Sequence, residues 1–239
     1  MHSSYHCTLN ACRFCISLGA PNAGYALLMI SLPAPRPVLW PLRPAESARV
    51  SRTDDNGRRI VTIEHAPLAN VTAEMLVWWY GHVPGTMQYA GETYPRYMVW
   101  HPLDHVSYEV ENNAPPVRVG SKLHIVEALG RDLDSVLDIH VTVEEITDRS
   151  AIISRRIAGS SVVRLENEFE SSNGAARYVT RMTLGDDTML GRLLLNRVAR
   201  TKALPPPKLE RWIRHHIEEI GNLEHFLPTL FDARAPVEA

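Results

Sequence analysis

The sequence predicts an α+β domain of the helix-grip type, in which a curved antiparallel sheet is closed by a long C-terminal helix. Two observations carry this expectation. Between residues 118 and 185 the runs "RVGSKLHIVEAL", "VLDIHVTVEEIT", "SAIISRRIA", "SVVRLENEFES" and "ARYVTRMTLG" alternate in part between apolar and polar residues and end in charged, Gly, Ser or Asn residues. Such runs read as strands following one another in an antiparallel meander. After a triple proline at 205–207, Ile213, Ile217, Ile220 and Leu223 recur at helical spacing from a start near Lys208 and mark a core-facing stripe. A sheet followed by one long helix encloses a pocket between the two.

The elements before the meander are read in chain order. Residues 1–48 form an irregular N-terminal extension, because the prolines of "LPAPRPVLWPLRPAE" forbid a continuous helix or central strand. Trp40 is the residue expected to tie this arm to the core. The segment "RRIVTIEHAPL" is a strand and turn. "ANVTAEMLVWWYGHV" is a helix with Asn70 or Thr72 at its cap, Met75, Leu76, Trp79 and Tyr80 spaced for burial, and Pro84 with Gly85 closing it. "TMLGRLLLNRVAR" is helical and precedes the triple proline. Residues 49–228 are therefore expected to make one domain, with an N-terminal helical part and a helix-grip core, and 229–239 a tail.

Composition narrows the classes. A chain of 239 residues with 45% hydrophobic and 22% charged residues is that of an ordinary soluble globular protein. A formal net charge of −2 offers no continuous basic track for nucleic acid. The only cysteines are Cys7, Cys12 and Cys15, beside His2 and His6. A structural zinc site needs a closed set of four ligands and a small fold around it; the spacing C-x4-C-x2-C reads instead as an extension carrying reduced thiols. Absence of cysteine elsewhere argues against a disulfide framework and fits a cytoplasmic location. The apolar stretch "YALLMISLPAP" is too short to span a bilayer and lacks the basic flank of a signal peptide.

Three stretches hold residues suited to metal or acid–base chemistry. In "LERWIRHHIEEIGNLEHFLP" His215 and Glu219 lie one helical turn apart near the border of the apolar stripe. Such a pair can offer zinc a nitrogen and an oxygen, or it can be a simple helix-surface pair; His216, three residues before Glu219, competes for the same role. "YPRYMVWHPLDHVSYE" holds His101 and His105 with Asp104 between them, and Pro102 keeps the two histidines off one helical face. Either histidine can bind metal while Asp104 orients a ligand. In "KLHIVEAL" Glu127 shares a strand face with Leu123 and Ile125, where a carboxylate is costly unless paired or coordinated. His105, Glu127, His215 and Glu219 together make a two-histidine, two-carboxylate set that suits zinc, with iron or manganese as rivals.

The pieces "VTAEMLVWWYGH", "YMVWHPLDH", "GSKLHIVEALG" and "RHHIEEIGNLEHFLP" resemble the 2,4-diacetylphloroglucinol hydrolase family, which includes the phloretin hydrolases. The resemblance runs from about residue 58 to 228. It implies a core like that of plant allergens and START domains, and a zinc hydrolase. Its reaction is cleavage of the C–C bond between an acyl group and a phenolic ring, by retro-Claisen-type attack of water activated at the metal. Carried over by motif, the metal ligands are His105, Glu127, His215 and Glu219, with His101 the rival of His105. Tyr97 resembles a family tyrosine that contacts substrate. Asp104 and Asn167 are further catalytic candidates, with Tyr94 and Tyr108 behind them.

One departure stands out: the family tends to carry a pocket histidine in the strand region that here reads "VVRLENEFESSNG", which holds Asn167, and no histidine occurs from 141 to 214. The expected partner is an acylated phenolic or β-diketone small molecule of aromatic-polyketide type. No nucleic acid and no membrane span are expected, and a homodimer is left open. Zinc hydrolysis of an ester, lactone or other β-dicarbonyl compound is the enzymatic alternative. A helix-grip carrier of a hydrophobic molecule is the other, and it has no use for four converging ligands.

Overall fold

A computed structural model of the chain describes residues 32–112 and 114–234. The three cysteines and most of the N-terminal extension lie outside them. The residues from Leu32 onward form one compact unit.

The expected α+β helix-grip domain is the fold observed. The described residues form eleven strands: β1 (Arg49–Asp55), β2 (Arg58–Glu64), β3 (Leu68–Ala69), β4 (Thr86–Tyr89), β5 (Glu92–Pro95), β6 (His105–Val110), β7 (Lys122–Ala128), β8 (Val136–Ile146), β9 (Ser150–Ile157), β10 (Ser160–Ser172) and β11 (Ala175–Leu184). Nine make one sheet in the order β1-β2-β11-β10-β9-β8-β7-β6, with β3 pairing β11. All its recorded pairings are antiparallel. Turns such as that at Asn56-Gly57, both at positive φ, join the β1–β2 hairpin without strain at the glycine. The β4–β5 hairpin stands apart.

The helices are α1 (Ala73–His82), α2 (Arg96–Trp100), the short α3 (Asn196–Val198) flanked by wide π-type turns, and α4 (Pro206–Asp232). Thr72 caps α1, its hydroxyl accepting from the Met75 N–H at 3.2 Å. Prolines open α4, where missing N–H groups would have had no partner within the helix anyway. The helix runs to Asp232, so Pro228 lies inside it and the predicted tail from 229 begins too early. Among the described residues no helix is long and apolar enough to cross a membrane.

Two apolar clusters meet along α4. Its first half packs Leu209, Trp212, Ile213 and Ile217 with Val61, Ile63, Leu129, Met182 and Leu184. Its second half packs Ile220, Leu223, Phe226 and Leu227 with Leu76 and Trp79 of α1 and with Tyr178. The candidate residues His215 and Glu219 stand on the helix near where these clusters adjoin. The arm covers the outer side of the same helix. Trp40 donates from Nε1 to Asn222 Oδ1 at 3.0 Å and packs against Tyr89, His225 and Phe226. Arg43 pairs with Glu224 and donates to the carbonyls of Ala66 and Pro67. A side chain at Gly221 would run into Arg43, so the close approach of arm and helix needs glycine there.

Candidate metal centre

Four buried or nearly buried side chains converge where β6, β7 and α4 meet. Helix α2 stops at Trp100, before Pro102, and the chain turns into β6 at His105. The backbone of His105 lies opposite Glu127 of β7, beside a register irregularity between His105 and Ser107 that re-aims the strand end. His215 and Glu219 are one turn apart on α4. His105 Nε2 lies 3.9 Å from Glu127 Oε1 and 3.3 Å from Glu219 Oε2. His215 Nε2 lies 3.6 Å from Glu127 Oε2 and 3.9 Å from Glu219 Oε2. Donor atoms of His105, Glu127 and His215 all fall within 4.8 Å of one another.

The hydrogen bonds fix which nitrogen is free. His105 Nδ1 donates to the Tyr97 carbonyl at 2.6 Å, and His215 Nδ1 donates to Asp104 Oδ2 at 3.0 Å. Each ring therefore turns an unprotonated-capable Nε2 to the centre of the cluster. Both Nε2 atoms are buried with no hydrogen-bond partner. Two orphaned imidazole nitrogens facing two carboxylates are what a divalent ion of nitrogen and oxygen preference requires. The donor set fits zinc.

His101 is engaged differently. Its Nδ1 accepts the Asp104 N–H at 3.1 Å, so Nε2 donates to Glu218 Oε2 at 3.1 Å. Neither nitrogen is left over. Although His101, Asp104 and His215 are close enough to hold an ion, both His101 nitrogens, His215 Nδ1 and Asp104 Oδ2 are already engaged in hydrogen bonds. A third group, His124, Asp138 and His140, lies outside, half-buried to exposed.

The other candidates are distributed as follows. Tyr97 donates from its hydroxyl to Glu127 Oε1 at 2.8 Å, and its ring stacks on His105 with centroids 3.8 Å apart. Burial, then the Glu127 charge, pushes its phenol well above the usual range, so it stays a donor. Asp104 accepts from Gly130 N–H at 3.0 Å as well as from His215, and borders a surface recess rather than the inner cavity. Asn167 faces the inner cavity and accepts from Thr180 Oγ1 at 3.0 Å. Tyr108 lines that cavity too, whereas Tyr94 sits on β5 bonded to Glu92 and is not at the site. His216 also lines the cavity: it contacts Glu219 through Nδ1 and Thr180 through Nε2 at 2.9 Å. Thr180 and His65, which meet at 3.1 Å, extend this chain and carry no sequence pattern that would have marked them.

Electrostatics prepares the cluster for a cation. Burial would raise Glu219, but the His216 charge and the neighbouring imidazoles hold it well below the usual carboxylate range. Burial likewise opposes ionisation of Asp104, yet the His215 hydrogen bond and the His101 and His215 charges bring it to about 2. For His215 burial favours the neutral ring, and Glu127, Asp104 and Glu219 overcome it to give about 9. The metal-free site thus holds an extra proton on His215 at neutral pH. That protonation stabilises the metal-free fold below the ordinary histidine range and fades as pH rises through about 9. An ion at Nε2 must displace the proton, so affinity is expected to rise about tenfold per pH unit between 7 and 8. Calorimetry in buffers of different ionisation enthalpy should find about one proton released per ion bound near pH 7.

The model of the DAPG hydrolase PhiG domain matches residues 53–232. The chain belongs to the DAPG hydrolase family. Membership and the buried His/Glu cluster together support a metal-dependent hydrolase. No curated protein matches this family member. Solved structures similar to it include protein Ms6760 from Mycobacterium smegmatis, at 13% identity, covering 77% of this chain and 97% of that one with a TM-score of 0.42. Protein NE0264 from Nitrosomonas europaea is 12% identical over 76% of this chain and 100% of its own, TM-score 0.42. Ara h 8.0201 is 11% identical over 71% and 99%, TM-score 0.42.

Proposed function

We propose that this DAPG hydrolase family member is a zinc hydrolase that cleaves the C–C bond between an acyl group and a polyphenolic ring. The observation that carries the reading is the pair of buried, unpartnered Nε2 atoms of His105 and His215 facing Glu127 and Glu219 at one edge of an apolar cavity. Those four side chains would hold the ion. Zinc supplies Lewis acidity and a water of lowered pKa, without redox chemistry.

The chain's own residues supply position. Asp104 and the Tyr97 carbonyl fix the two imidazoles in the tautomer that leaves Nε2 free. Tyr97 holds Glu127 by its hydroxyl and presses its ring on His105. Tyr80, Trp100, Tyr108 and Asn167 line the space beside the cluster, where a flat hydroxylated ring can stack and hydrogen-bond. A ring hydroxyl ortho to the acyl carbon lets the ring take its keto tautomer, making the scissile bond that of a β-diketone. Water adds to the acyl carbon, the ring carbon departs as an enolate and takes up a proton, and a carboxylic acid and the deacylated phenol result. His216 lines the cavity beside Asn167 of β10, the strand region in which the resemblance leads one to expect a histidine, and it puts an imidazole at that wall.

The test is hydrolysis of an acylphloroglucinol in oxygen-18 water. One labelled oxygen is expected in the released acid, the rate should be unchanged without oxygen gas, and ketones lacking the ortho hydroxyl should resist cleavage. A strict oxygen requirement, or equal cleavage of those ketones, would sink the reading. The hydrolysis of aryl esters at a comparable rate would favour the ester alternative.

A further inference from the structure

A second lobe opens from the same cavity. Ile125, Glu127, Ile153 and Leu165 line both lobes, so the two adjoin along a shared wall that includes Glu127 of the His/Glu cluster. The first lobe is the one described above, whose walls include Tyr80, Trp100, Tyr108 and Asn167. The second is walled by Leu137, Ile139, Val141, Val163 and Met182, with Trp212 of α4 among its lining residues. Leu137, Ile139, Ile153, Val163 and Leu165 remain only partly covered although they line the cavity between sheet and helix. Apolar surface left uncovered inside a fold gains when an apolar ligand covers it.

Size and geometry say how a substrate would use the two lobes. Each encloses about 80 Å³, which leaves no room in either for a ring and its acyl chain together. An acylated ring therefore needs both lobes. A ketone carbon carries two substituents that diverge from it. With the carbonyl at the cluster beside Glu127, one substituent enters each lobe. The ring hydroxyls need donors and acceptors, which Tyr108 and Asn167 offer in the first lobe. The aliphatic lobe is left for the other substituent.

Resting on the proposed acyl-phenol hydrolysis, we infer that the aliphatic lobe binds the acyl chain, and that the substrates are phenols bearing a straight alkyl acyl group longer than acetyl. The zinc-loaded protein is to be assayed on phloroglucinols that differ only in one acyl chain: acetyl, butanoyl and hexanoyl. Burying each methylene should raise kcat/KM about fourfold, so butanoyl should exceed acetyl by about tenfold or more. Val163→Phe and Ile139→Phe, made separately, each fill the lobe and should cut the hexanoyl-to-acetyl ratio by about tenfold or more. That ratio is independent of how much of a variant folds, and the wild-type series decides the matter even if neither variant can be made. A flat or falling series in protein that cleaves the acetyl compound overturns the lobe assignment and leaves the hydrolase reading intact. A rising series unaffected by both substitutions also overturns it. No cleavage of any member by folded, zinc-loaded protein overturns both.

Discussion

Replacing His215 by alanine is expected to strip most of the bound zinc and abolish turnover, while His216→Ala keeps the metal. The two histidines are neighbours on α4 and equally buried, yet their nitrogens face different partners. His215 turns an unpartnered Nε2 toward Glu127 and Glu219. Both nitrogens of His216 are spoken for, by Glu219 and Thr180. Removing a direct ligand should cost more affinity than the roughly 10–100-fold that follows loss of an outer partner. Elemental analysis of protein purified without added metal should give about one zinc per wild-type chain and little in His215→Ala. Well-folded, active wild-type protein without a transition metal would end the proposal. The reverse pattern between the two variants would mean that the wrong face of the helix had been assigned.

Asp104→Asn should lower zinc affinity by about 10–100-fold with the four proposed ligands intact. The carboxylate accepts the Nδ1–H of His215 and is itself anchored by the Gly130 N–H. An amide loses the charge and no longer enforces one ring orientation. It also removes one of the influences that raise His215, so the proton released on metal binding should fall at neutral pH. That second readout separates orientation of the ligand from general damage: a misfolded variant would lose affinity without changing the pH profile of the remaining sites. Unchanged affinity and proton release would show that His215 is held by packing alone.

Much of the sheet was legible because its strands keep the period-2 alternation on which burial of one face depends. β7 shows this directly: Leu123, Ile125 and Glu127 turn inward as the pattern required. The β4–β5 hairpin was not anticipated, since four-residue strands around Ala90-Gly91 carry too little periodicity to register. On α4 the pattern led to an apolar stripe with polar residues at its border. Over His215–Leu223 that border disappears, because the arm seals the other side of the helix there. For that reason spacing could not rank His215 against His216, nor His101 against His105. The difference lies in Asp104, Glu218 and Thr180, which are distant in sequence and meet these rings only in the folded chain.

From His215 to Leu223 every residue of α4 is buried. A stretch with no solvent face leaves evolution few neutral moves: a substitution there disturbs the metal cluster, the sheet packing or the seal of the arm at once. Divergence among relatives should then accumulate in the strands instead. Leu137, Ile139 and Val163 can be exchanged for one another's sizes without touching the cluster, so new substrate ranges would be reached by drift across β8 and β10 while the closing helix stays nearly fixed.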